Sequence, residues 1–322
     1  MPAGLLYHRR FDDEVSPLPK GPELTERFAG MGHVDHFAYG AVTPGIAYLM
    51  SCVGSALGLL CTTRARAVRG WARARWLVLG AASIGGTGIW VMHFIGMLGF
   101  SVRETPIRYD VGKTMTSLVL AVVVVGIGMA VAGRRNAGPV GLVIGGVITG
   151  GGVAIMHYMG MAAMSLDGSV EYDSFRVGLS ILIAVVAATA ALWAALNVSG
   201  FAATAGAALI MGLAVSGMHY TGMSAMSVRT EGRHGMVHGV EASQFLAPLI
   251  TGISLFTVIT LFIVALSPSA DEIKEEDELS ARLARLEDNR FGSAATGGPI
   301  GTRPSHRRGT ENNPRDYFRS GR

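Results

Sequence analysis

The chain has 322 residues, half of them hydrophobic and only 16% charged, with a formal net charge of +4. A soluble domain carries about a quarter charged residues; a chain this apolar, with mean hydropathy +0.40, falls outside that class and reads as an integral membrane protein. Arginines beside the apolar runs account for much of the positive charge, so it does not indicate nucleic-acid binding.

Residues 1–38 read as a polar N-terminal tail. The segment MPAGLLYHRRFDDEVSPLPKGPELTERF lacks an apolar core long enough for a cleavable signal peptide. Met31, at the head of MGHVDHFAYG, offers an alternative start. His33 and His36 flank Asp35 just before the first apolar run. Their spacing could feed a metal inward, but an interfacial polar cluster is the simpler expectation.

A membrane-spanning helix needs about 20 apolar residues. Seven runs qualify, at 39–62, 76–100, 115–133, 140–165, 176–196, 201–227 and 246–267. Cys52 and Cys61 lie in the first, about 13 Å apart along one helix, too far for a mutual disulfide. The second run contains Met92-His93-Phe94-Ile95-Gly96-Met97. The fourth contains Met156-His157-Tyr158-Met159-Gly160-Met161, and the sixth Met218-His219-Tyr220-Thr221-Gly222-Met223. The histidines are 64 and 62 residues apart, and each interval takes in two spans. The expected architecture is therefore all-α: three tandem two-helix repeats plus a seventh helix, filling 39–267. Returning to the same side after two helices puts all three histidines at one depth.

Orientation follows the basic residues beside the spans. The first loop, TTRARAVRGWARAR, has five arginines and no acid. It places the N-terminus outside, the C-terminus in the cytoplasm of a cell-membrane protein, and the three motifs in the outer half of the bilayer. The outer loops hold Asp167, Glu171 and Asp173, read as solvated acids, and His234 and His238, which carry no clear role. Residues 268–322 form a charged cytoplasmic tail. Within it, DEIKEEDELSARLARLEDNR can form a short helix with Leu279, Leu283 and Leu286 on one side, and the remainder reads as disordered.

Within each motif, His at i and Met at i+4 share a helix face. These pairs are His93/Met97, His157/Met161 and His219/Met223, with Met164 and Met226 a further turn along. Gly96, Gly160 and Gly222 lie beside them, where another helix or a ligand could come close. Met92, Met156 and Met218 point about 100° away and reach such a site only at its edge. Packing explains any one copy, but histidine within a span is costly and points to function. Thioether is soft and selects Cu(I), and imidazole serves both copper states. The motifs hold no carboxylate, which disfavours Mg, Ca and Mn. Copper is the expected metal; haem, ligated by two histidines or a His/Met pair, is the runner-up. No catalytic constellation is recognisable.

These motifs resemble those of the MHYT family of bacterial membrane sensor domains. Met218-His219-Tyr220-Thr221 matches the family pattern outright, and the other two copies depart from it at one or two positions. The resemblance covers about residues 33–267. It implies a seven-span sensor whose methionines and histidines bind copper and, through it, sense oxygen, carbon monoxide or nitric oxide. Family members usually carry a fused cytoplasmic output domain, and the residues after Ser267 show none, which puts signalling through an attached enzyme in doubt. The short charged helix could contact a separate cytoplasmic partner, but a solvated juxtamembrane helix is the simpler expectation. Copper transport is the competing class, although all motifs sit at one depth and only Met50, Cys52 and Met211 mark the inner half. A membrane oxidoreductase ranks last, since nothing marks a substrate pocket.

The topology is testable in a background lacking Cys52 and Cys61. Cysteines at Ala67 and Ser169 should label from opposite sides with an impermeant thiol reagent, Ser169 from outside. Labelling of position 67 from outside would reverse the orientation.

Overall fold

The computed structural model describes residues 34–35, 37–102, 106–134, 136–229 and 239–295. His33, His36, His234 and His238, with residues 1–33 and 296–322, lie outside them.

Seven helices are long and apolar enough to cross a membrane: α1 (Val42–Ala67), α2 (Gly70–Leu98), α3 (Val111–Ala132), α4 (Gly138–Ala162), α5 (Ser174–Asn197), α6 (Phe201–Ser224) and α7 (Ala242–Leu266). A polar helix, α8 (Ala270–Ala295), follows. The first compact unit runs through Ile273 and the second starts at Lys274. The expected all-α architecture is thus present.

Around the bundle the order is α2–α3–α4–α5–α6–α1, and α7 packs outside against α1 and the middle of α2. The apolar window of α2 is 83% buried and that of α7 only 17%. Small residues permit this density. A Cβ at Gly54 of α1 would fall on the backbone of Gly88 in α2, and one at Gly150 of α4 on the backbone of Val185 in α5. Close backbone approach is how membrane helices gain packing without a hydrophobic driving force between them.

Helix α2 is not uniform. Ser83–Val91 is a π-helix between two α-helical segments, and all of it is buried. It contains Gly85, Gly86 and Gly88, which tolerate the widened turn. Polar groups inside it are satisfied across helices: Thr87 Oγ1 lies 2.7 Å from Thr257 Oγ1 of α7, and Trp90 Nε1 donates to Ser117 Oγ of α3 at 2.9 Å.

Several helix boundaries differ from the sequence expectation. The arginine-rich stretch 63–75 is nearly all helix, since α1 runs to Ala67 and α2 starts at Gly70 with φ +61°. Arginine is a good helix former, and its long stem lets the head reach polar groups. Arg64 is buried and donates to Val264 O at 2.7 Å and Ser267 O at 3.4 Å, carbonyls at the end of α7 that the helix leaves unpaired.

The motif helices also end early, at Leu98, Ala162 and Ser224, because the chain turns into short strands. Met164 and Met226 therefore lie in strands, not on an extended helix face. Strands β1 (Val34–Asp35) and β2 (Ser101–Val102) pair antiparallel, as do β3 (Arg108–Tyr109) with β4 (Met164–Ser165), and β5 (Ser169–Tyr172) with β6 (Met226–Arg229). β7 (Val240–Glu241) adds to β3. Each ribbon joins the residues before a hairpin to those after it, so α1–α2, α3–α4 and α5–α6 are each closed at the motif end. Ala38 N donates to Gly99 O at 2.9 Å, Asp110 N to Ala163 O at 2.8 Å, and Asp173 N to Ala225 O at 2.9 Å.

Because a methyl at Gly54 has only the backbone of α2 to push against, Gly54→Ala should destabilise the bundle by about 1–3 kcal/mol, as overpacking does. A thermal melt in detergent reads this; an unchanged midpoint would mean that α1 and α2 are not in contact there.

Candidate metal centre

The sequence puts one histidine on each of α2, α4 and α6 at matching positions, five residues before the last helical residue. The fold brings those ends together. His93, His157 and His219 form one buried cluster, each at most 1% exposed. Their rings pack edge to face, with centroids 4.8, 5.0 and 5.2 Å apart.

All three Nδ1 atoms point to the centre. Nδ1 of His93 lies 3.0 Å from that of His157 and 3.1 Å from that of His219, and the third edge is 3.4 Å. A neutral imidazole carries its proton on one nitrogen only. A given Nδ1 is therefore either a donor or an acceptor, and a closed triangle of three cannot be satisfied by hydrogen bonds alone. At least one pair of like groups faces each other, unless a cation lies between them.

The triangle has a suitable size for a metal. A point equidistant from nitrogens 3.0–3.4 Å apart lies roughly 1.8 Å from each, close to the about 2.0 Å of an imidazole–metal bond. The Nε2 atoms of His93 and His157 are buried and have no hydrogen-bond partner.

The motif glycines hold this geometry. Nε2 of His93 lies where a Cβ on Gly160 would be, that of His157 meets Gly222, and that of His219 meets Gly96. Each imidazole is seated on the glycine of the next motif helix, and the three contacts close a ring. The aromatic residue after each histidine backs it edge-on: Phe94 at 4.8 Å, Tyr158 at 5.0 Å and Tyr220 at 4.8 Å. A second tier meets those rings, with Tyr109 6.1 Å from Phe94, Tyr172 6.0 Å from Tyr158 and Phe37 5.8 Å from Tyr220. Burial pushes the Tyr109 phenol above its ordinary value; burial and the neighbouring Tyr158 do the same to Tyr172.

The six motif methionines, Met92, Met97, Met156, Met161, Met218 and Met223, are all buried. Among the described acids, two expected to be solvated have structural partners. Asp173 Oδ1 caps α5 by accepting from Arg176 N at 2.8 Å, and Glu171 pairs with Arg229 at 3.4 Å across the β5–β6 ribbon. The sequence reading also missed a repeated latch, Tyr109-Asp110-x-x-Lys113 and Tyr172-Asp173-x-x-Arg176. In each, the aspartate caps a helix and the cation reaches the end of a motif helix: Lys113 Nζ donates to Ala162 O at 3.2 Å and Arg176 Nη1 to Ser224 O at 2.5 Å. The recurrence of Tyr-Asp-x-x-cation one repeat apart was the available signal.

A multi-span membrane protein with a histidine triad built from three tandem repeats is the class that this fold and site define. Three segments, 86–145, 150–208 and 212–271, match the MHYT model, described as a bacterial signalling protein N terminal repeat. The chain belongs to the MHYT family. The matched segments put the motif helix first in each pair, whereas the ribbons close the pairs with the motif helix second. The chain is 36% identical over 253 residues to the bifunctional diguanylate cyclase/cyclic di-GMP phosphodiesterase MucR of Pseudomonas aeruginosa, covering 77% of this chain and 36% of that protein. It is 32% identical over 211 residues to the cyclic di-GMP phosphodiesterase NbdA of the same species, covering 62% and 27%. With the signaling protein YkoW of Bacillus subtilis it shares 25% identity over 259 residues, covering 78% and 32%. The chain thus spans about a third of the length of these relatives. No solved structure matches it.

The glycine seats predict a specific mutational pattern. Gly160→Ala should displace His93, shift its imidazole ¹⁵N resonances and cost about 1–3 kcal/mol by overpacking. Gly151→Ala, one face round the same helix with open space beside it, should do neither. Equal effects at the two positions would remove the seating argument.

Proposed function

We propose that this chain is a membrane sensor whose histidine triad binds copper and responds through it to a small diatomic molecule: oxygen, carbon monoxide or nitric oxide. The observation that carries the metal reading is the convergence of three buried Nδ1 atoms at 3.0–3.4 Å. Copper, when bound, would supply a redox-active Lewis acid inside an otherwise apolar bundle. His93, His157 and His219 would hold it with their inward lone pairs. Met97, Met161 and Met223 are buried one turn along the same helix faces and offer the soft donors that favour Cu(I) over zinc. Met92, Met156 and Met218 would stand at the edge of the site. The aromatic tiers exclude water, and the glycine seats fix the ring planes. Haem draws less support, because its macrocycle would have to enter between rings packed with centroids about 5 Å apart.

With the arginine-rich end of the bundle in the cytoplasm, the triad lies in the outer half of the membrane. Sensing, not catalysis, is the role assigned to this stretch of chain. On α8, Leu279, Leu283 and Leu286 are exposed and form the surface proposed to meet a cytoplasmic signalling partner.

Copper content of the purified protein, measured by elemental analysis, tests the reading. Ligands of one ion act as a unit, so His93→Ala, His157→Ala and His219→Ala should each remove most of the copper. Double variants should add little. Replacing Met97, Met161 and Met223 with Leu should chiefly weaken Cu(I) retention while the fold survives, since Met-to-Leu swaps cost under about 1.5 kcal/mol. Full copper content in the triple histidine variant would reject the metal and leave the triad a packing element; loss in additive thirds would mean three separate sites.

A further inference from the structure

Beneath the triad the three motif helices do not close up. Ile89, Val153 and Val215 each stand four residues before a motif histidine, one helical turn deeper on the same face. All three line a single cavity of about 50 Å³. Thr149 and Met211, one turn deeper again, continue its wall on α4 and α6, and Met218 lines it from directly beside His219. The cavity thus lies on the inner side of the triad, along the axis about which the three repeats are arranged. It exists because α5 faces it mainly with small side chains, the alanines at 184, 187, 188, 191 and 195.

The lining sets the chemistry of an occupant. Ser55 and Thr149 are its only polar residues, and the Thr149 hydroxyl already donates to Val124 O at 3.3 Å. A buried water needs two to four polar partners, so an apolar cavity of this kind stays dry. No charge faces it, which excludes ions and zwitterions. One water needs about 10–15 Å³ measured in this way, so the space suits a molecule of a few heavy atoms; a larger apolar cavity, of about 150 Å³, takes up xenon.

We propose that this cavity is a binding site for a small uncharged apolar molecule, held one helical turn from the imidazoles. Such a molecule partitions into the hydrocarbon of the bilayer, the phase in which these spans lie. The site itself stands without a metal; that its occupant is the molecule sensed rests on the function proposed above.

Xenon is the probe, used on the full chain in nanodiscs, with protein-free nanodiscs as background and ¹²⁹Xe saturation-transfer NMR as the readout. The native chain should give a saturable bound-xenon signal, retained after copper is stripped with a chelator. Ala188→Leu, which fills the space from α5, should reduce that signal several-fold and leave copper content unchanged. Val153→Ala, which enlarges the space, should strengthen it, and this variant decides the matter if Ala188→Leu does not fold. No bound signal from the native chain, or one that neither substitution alters, overturns the proposal. A cavity-dependent signal in protein that never acquires copper would uphold the cavity and sink the metal reading instead.

Discussion

Three imidazole nitrogens held at hydrogen-bonding distance in a dry bundle are the constraint around which this molecule is organised. Taking one polar group out of water without a partner costs about 1–3 kcal/mol by mutational measure. Here three buried imidazoles are driven against one another at a depth where histidine is already disfavoured. The rest of the fold supplies what makes this tolerable. The glycine seats remove the steric obstacle, and the edge-to-face aromatics enclose the rings. The ribbons and helix caps keep the three helix ends from spreading.

The support is cyclic and not layered. The ring of His93 depends on Gly160 of α4, that of His157 on Gly222 of α6, and that of His219 on Gly96 of α2. No repeat completes its own seat. Each hairpin, by contrast, closes its own ribbon at the motif end. The hairpins are therefore locally closed units joined through a shared polar centre. This arrangement makes the centre responsive to the relative position of all three.

The repeats are not equivalent, and the asymmetry is concentrated in α2. Only this motif helix carries a π segment, and it packs against α7 through the Thr87–Thr257 pair. At the C-terminal end of α7, beyond Thr257, Arg64 of α1 holds the last carbonyls, just before α8 begins. A shift of His93 would thus bear on the π segment and on α7, the span that leads into α8. π-helical turns inside α-helices occur frequently at functional sites.

Much of this was legible in the sequence. Span number, repeat period and the common depth of the histidines follow from hydropathy and from the arithmetic of two helices per interval, since a bilayer fixes helix length and direction. The helix ends were less legible: the spans appeared to reach Phe100, Ser165 and Ser227 because strand residues such as Met164 and Met226 are as apolar as helical ones. Asp173 and Glu171 looked solvated because a cap and a cross-strand ion pair depend on what the backbone beside them does. The sequence by itself determined a seven-span bundle with three histidines at one level. Only the tertiary structure decided that their Nδ1 atoms meet, that each ring rests on a glycine of another repeat, and that a cavity lies beneath. Those are distances between helices remote in sequence, set by how closely small residues let backbones approach.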